Sequence, residues 1–177
     1  DAKIIINDYD RDQLEYIFKH FGELKNYKKV TEKIISERTK KFINTTGDLK
    51  KILAPLVKLK DENKFLAQVF QSIRIEVNDE LEVIRTLLSD SSKYIKKGGR
   101  LVCISYHSLE DRIVKKFIQN GGYNDKVVSD FYGNKNVIFK KVGKMITPSS
   151  EEIKLNNRSR SAKLRIAEKI WEIFYPF

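Results

Sequence analysis

One cysteine and two histidines in 177 residues leave little room for disulfide or metal chemistry. Cys103 has no internal partner, and His20 and His107 lie far apart along the chain, so no metal centre is expected. Long apolar runs are missing too. None approaches the roughly 20 residues that a membrane-spanning helix needs, so no membrane contact is expected. The opening Asp1-Ala2-Lys3 followed by Ile4-Ile5-Ile6 has neither the basic flank nor the apolar stretch of a secretory signal, and the expected location is the cytoplasm. No internal repeat and no low-complexity linker breaks the chain.

What is present suits a folded protein. Hydrophobic residues make up 41% and aromatics 11%, enough for one domain with a real core or for one and a half small ones. The net charge of +11 is unevenly spread. Residues 1–90 hold 17 Lys and Arg against 16 Asp and Glu, whereas residues 91–177 hold 18 against 8. A polyanionic partner is favoured for the second half, because each phosphate neutralised by a cation releases condensed counterions. A merely soluble basic protein is the alternative.

The first half has helical periodicity. Asp10 with Gln13 makes a capping box ahead of Leu14, Ile17, Phe18 and Phe21, with Gly22 as the stop. A second helix is predicted from about Asn26 to Arg38. Thr45 and Thr46 compete to cap a third, carrying Leu49, Ile52 and Leu53 and ended by Pro55. From Asn63 onward, Leu66, Val69, Phe70, Ile73, Val77, Leu81, Ile84 and Leu88 keep three-and-four spacing, which predicts one long helix.

At Lys97-Gly98-Gly99 the pattern changes. The compact run Leu101-Val102-Cys103-Ile104 predicts a central buried strand, followed by Ser105-Tyr106-His107 and a helix opened by Ser108 with Asp111. Further strands are expected at Val137-Ile138-Phe139 and from Ala162 to Ile166, with a short helix starting at Pro148-Ser149-Ser150. Strand, loop and helix in alternation define an α/β fold, in which ligands sit beyond the carboxyl ends of strands. Residues 104–112 are the candidate site on that ground. An α/β domain also needs a first strand and its glycine-rich turn, and neither precedes the long helix, so the chain reads as part of a domain.

Tyr106-His107-Ser108-Leu109-Glu110-Asp111-Arg112 collects a serine, a histidine and two carboxylates, but neighbours in one turn rarely converge as a catalytic triad, and no nucleophile elbow is present. A helix cap accounts for Ser108, Glu110 and Asp111. It does not account for His107, whose imidazole stands either as a structural group or as one that contacts a substrate base or phosphate. Asn78-Asp79-Glu80 reads as a solvated helix face. Arg158, Arg160 and Lys163 place three cations just before and into the last strand, suited to holding a phosphate backbone or to guarding a sheet edge. Tyr123, Phe131 and Tyr132 lie in a Gly- and Asn-rich segment that could stack bases or pack a core.

Four segments in order resemble the MraW/RsmH family of 16S ribosomal RNA cytosine-N4 methyltransferases: Asn44 to Leu49, Ala67 to Leu81, Gly98 to Arg112 and Asn157 to Arg165. The resemblance implies a partial Rossmann-like class I methyltransferase sheet with a helical insert, the insert over residues 8–75 and the α/β part over 76–177. On it, Leu101–Ser105 would be an inner strand and the later strands the far edge. It also implies S-adenosyl-L-methionine as methyl donor, bound mainly by residues outside this chain, and the N4 amine of a decoding-region cytidine in 16S rRNA as acceptor. His107 becomes the candidate catalytic residue; Arg112, Arg158, Arg160, Lys163 and Asn78 become candidate RNA contacts. The small ribosomal subunit is the expected partner, and a homodimer is left open. Without the glycine-rich cofactor turn the chain alone is expected to be inactive. A non-catalytic RNA-binding module is the alternative from another class.

Overall fold

A computed structural model of the chain describes residues 1–121 and 137–170. The chain divides into two compact units, Asp1–Glu80 and Leu81–Phe177. No helix among the described residues is long and apolar enough to cross a membrane. Tyr123, Phe131 and Tyr132 lie outside the described residues.

The first unit is helical: α1 (Ala2–Asp8), α2 (Arg11–His20), α3 (Tyr27–Arg38), α4 (Thr46–Leu53) and α5 (Glu62–Asn78), with two 3-10 turns between the last two. The predicted capping box at Asp10 is made, and of the two threonines that compete to cap α4 it is Thr45 that does so. Asp10 accepts from the Gln13 amide while Gln13 accepts from that of Asp10, and Thr45 pairs reciprocally with Asp48. These caps orient an apolar face on each helix, and Leu14, Phe18, Val30, Ile34, Leu53 and Val69 are fully enclosed. Helix α1 is too short to carry a periodic signature and was not predicted. It is held by side chains from elsewhere: Arg38 Nη1 donates to the Ile6 and Tyr9 carbonyls at 3.1 and 2.7 Å, and Asn7 exchanges two 3.0 Å hydrogen bonds with the Ile43 backbone. Tyr9 donates from its hydroxyl to Glu76 at 2.8 Å. Gly22 is required by close approach, since a Cβ there would stand 2.8 Å from the Phe18 carbonyl oxygen.

The single long helix predicted from Asn63 is two. Helix α5 ends at Asn78, Asp79 takes a left-handed conformation with φ 49°, and α6 (Glu80–Tyr94) starts afresh. The apolar period runs through the break and hides it, while Asn78-Asp79 supplies residues that tolerate the left-handed region better than most. Asn78 and Glu80 are therefore a helix junction and not a continuous solvated face. Glu80 accepts from Arg74 at 2.8 and 3.0 Å and from the Asn78 amide at 3.1 Å.

The second unit holds α6, β1 (Arg100–Ser105), α7 (Ser108–Asn120), β2 (Phe139–Ile146), α8 (Ser150–Leu155), a 3-10 turn (Asn157–Ser161) and β3 (Lys163–Lys169). The predicted strand at Val137–Phe139 begins only at Phe139 and runs on to Ile146. The sheet order is β1-β3-β2, and β3 is antiparallel to both neighbours, so β1 and β2 are parallel strands with α7 between them in sequence. Helix α7 covers one sheet face with Leu109, Ile113, Val114, Phe117 and Ile118, and the Phe117 and Phe139 rings meet at 5.7 Å. Lys169, 5% exposed, donates to the Ser92 and Ile95 carbonyls at 2.7 Å, satisfying the C-terminal carbonyls of α6 that no amide reaches.

β1 was expected to be central and buried. Among the described residues it has one neighbour, β3, and its other edge is unpaired. The face away from α7 is open, with Val102 and Ile104 at 55% and 57% exposure and Ile146 at 53%. A run of four apolar residues predicts burial on both faces, and here only the Leu101 and Cys103 side is covered.

Candidate functional site at the carboxyl end of β1

A polar turn stands at the carboxyl end of β1. Ser105 is buried, the chain leaves the strand through Tyr106, and His107, in extended conformation at φ −138°, caps α7. The cap thus falls one residue before the predicted Ser108. Its Nδ1 accepts from the Glu110 amide at 3.4 Å, and Glu110 Oε2 accepts from the backbone amides of Tyr106 and His107 at 2.8 and 3.3 Å. The cap moves because Glu110, three residues after His107, completes a reciprocal box that Asp111 does not.

With Nδ1 accepting, the proton of a neutral His107 ring belongs on Nε2. That nitrogen is enclosed and 3.0 Å from Glu110 Oε1, off the line a hydrogen bond needs, so the contact is mainly electrostatic. Burial pushes the Glu110 carboxyl up, but the adjacent His107 imidazole and the backbone amides of Tyr106 and His107 outweigh it and hold the group below its ordinary range. His107 and Glu110 thus stand locked together at the mouth of the strand.

Beside it, Asp111 was read as part of the cap and serves otherwise. Arg165 grips it with Nε at 2.6 Å and Nη2 at 3.1 Å, and Lys163 approaches at 3.3 Å. The Arg165 guanidinium holds the Asp111 carboxyl below the usual range; burial opposes it, and Lys163 adds to the lowering. This bidentate pair ties β3 to α7. Of the sequence candidates, His107, Arg112 and Lys163 gather around the start of α7, Lys163 through Asp111. Arg158 and Arg160 are exposed on the 3-10 turn that leads into β3, where no carboxylate pairs with them among the described residues. That turn is built by Asn156, whose side chain accepts from the Arg158 amide at 3.1 Å, and by buried Ser159, whose hydroxyl donates to the Asn156 carbonyl at 2.7 Å. Asn78 belongs to the first unit. Sequence reasoning missed Glu110 as the organiser of the turn and Arg165 as the partner of Asp111. The spacing to His107 signalled the first, and nothing local signals the second, 54 residues away.

A mixed α/β unit with parallel strands flanking an antiparallel one, a polar turn at a strand end and exposed arginines nearby agrees with the sequence profile of the MraW methylase family, which matches residues 1–170; the chain belongs to that family of methylases. Its relatives make the class more particular. It is 49% identical over 166 residues to the ribosomal RNA small subunit methyltransferase H of Flavobacterium johnsoniae, covering 94% of this chain and 55% of the relative. Proteins of the same description match from Flavobacterium psychrophilum, 51% identical over 165 residues (93% and 57%), and from Karelsulcia muelleri, 49% over 169 residues (95% and 56%). The chain spans a little over half the length of these curated relatives.

Proposed function

We propose that this chain is the RNA-facing, sheet-edge part of an S-adenosylmethionine-dependent methyltransferase that modifies the N4 amine of a cytidine in the decoding region of 16S rRNA. The observation that carries the reading is the unfinished sheet in a chain matched over residues 1–170 by a methylase family. Among the described residues strand β1 has a free edge, and Val102, Ile104 and Ile146 leave one face uncovered, as the far edge of a larger Rossmann-like sheet would. Residues 8–75 would be the helical insert and 76–177 the returning α/β part.

The described residues do not themselves fit the methyl donor. The turn after β1 has no glycine, and the amides of Tyr106 and His107 are already taken by Glu110. The donor is assigned to residues outside the chain; when bound, it supplies an electrophilic methyl group. A cytosine N4 amine is a poor nucleophile because its lone pair is delocalised into the ring, so placement and proton removal are what a protein can add. His107, braced by Glu110, is the group nearest that task in this chain. Arg112, Arg158, Arg160 and Lys163 would hold rRNA phosphates, and Asn78 would contact RNA from the helical unit.

The test is nucleoside mass spectrometry of small-subunit rRNA incubated with the full-length protein and the donor. N4-methylcytidine at a decoding-region position is the expected product. Methylation elsewhere, or none, contradicts the reading.

A further inference from the structure

A second group of cations lies away from the candidate site, in a shallow groove where α7 passes β2 and β3. Lys115 and Gln119 of α7, Lys141, Lys144 and Met145 of β2, and Arg165 of β3 line it. None of the described lining residues is acidic. Lys115, Lys141 and Lys144 are exposed and pair with no carboxylate among the described residues, whereas Lys33, Lys40, Lys50 and Lys93 elsewhere each do.

The groove is built by an irregularity. Val142 pairs with Ile166 and Ile146 with Leu164, so three residues of β2 stand opposite Arg165 alone. Gly143, at φ 65°, supplies the conformation that such a bulge needs. The bulge is pinned rather than loose: Met145 Sδ accepts from Arg165 Nη2 at 3.4 Å, and Arg165 is itself fixed by Asp111. Arg165 is thereby neutralised and the three lysines are not.

We propose that this groove is a second track for RNA phosphates, carried by Lys115, Lys141 and Lys144, on the same protein as the Arg158 and Arg160 face. It rests on the rRNA reading above. A shallow, cation-lined surface suits backbone contact and not base insertion. The rival is edge protection, since β2 is the outer strand and charged residues and bulges guard such edges. Edge protection does not call for Lys115, which lies on the helix, nor for one sign of charge.

The experiment uses the full-length protein and a 16S rRNA fragment spanning the decoding region, titrated across salt concentrations. Replacing Lys115, Lys141 and Lys144 together by Gln should lower the slope of log affinity against log salt by about 2, roughly 0.7 per lost contact on single-stranded RNA, and weaken binding at 0.15 M salt on the order of 10–50-fold. The triple Lys→Arg variant should keep both. A folded, monomeric Gln variant with unchanged slope overturns the proposal. If that variant aggregates, Lys115→Gln with Lys141→Glu and Lys144→Glu decides, because Glu guards an edge as well as Lys does: a lost slope supports the track and an unchanged one sinks it. Failure here alone leaves cytidine methylation by the wild-type protein intact. Failure of the methyltransferase reading would show in that product and not in the slope.

Discussion

The two units of this chain solve the burial problem differently. Asp1–Glu80 carries 16 Lys and Arg against 14 Asp and Glu, closes its apolar residues around Phe18 and Leu14, and caps α1, α2 and α4 with its own side chains. Leu81–Phe177 carries 19 against 10, has one covered sheet face, and leaves a strand edge and an apolar face open. The first is self-sufficient and nearly neutral. The second is open at one edge and face among its described residues and is basic, as the proposed function expects.

The comparison breaks most easily in the core. Phe18→Ala should cost the first unit about 3–5 kcal/mol, measured by denaturant unfolding, because no neighbour can fill the space. Ile104→Ser, on the open face, should shift the stability of this chain by no more than about 0.5 kcal/mol and yet impair folding of the full-length protein. A large effect of Ile104→Ser within the chain alone would mean that the face is covered after all.

Next comes the tie between α7 and β3. Asp111→Ala leaves Arg165 and Lys163 without their anion and should cost about 2–3 kcal/mol, less than a fully buried pair because Lys163 is partly exposed. Since the folded Asp111 carboxyl lies below its unfolded value of about 3.9, its contribution is present above that pH and is lost as pH falls through the folded value. Asp111→Asn should therefore flatten the acid limb of stability measured by thermal melts against pH. An unaltered acid limb would assign that limb to other carboxylates.

Smaller still is the cap. His107→Ala should destabilise by about 1 kcal/mol, and His107→Asp, a good cap without an imidazole, should restore stability. If His107 also serves the reaction, His107→Asp in the full-length enzyme stays folded and binds rRNA but loses methyl transfer. Full activity in His107→Asp would leave the residue only a cap. The least effect is expected at Asp79, where Gly fits the left-handed conformation: Asp79→Gly should change stability by under about 1 kcal/mol, in the stabilising direction, by the same melts.

Legibility followed the range of the interaction. The cap at Asp10 was readable because donor and acceptor lie three residues apart, the starts of α4 and α8 because threonines and serines gather there, and β1 and β3 because their apolar patterns are local. The break at Asp79 was concealed by a continuous apolar period, and the cap at His107 was read one residue late, at Ser108, because imidazole is an uncommon capping group. The bulge at Gly143 depends on what β3 presents opposite it. Lys163 was legible as a cation but not as one held by Asp111, a partner that only the fold brings near.

On the proposed function the sheet continues past β1 into residues outside this chain. Hydrogen exchange across residues 101–105, compared between this chain and the full-length protein, tests it most directly. The outward-facing amides of β1 should exchange rapidly in the chain alone and be protected in the full-length protein, where another strand takes them. Equal exchange in the two would contradict the account.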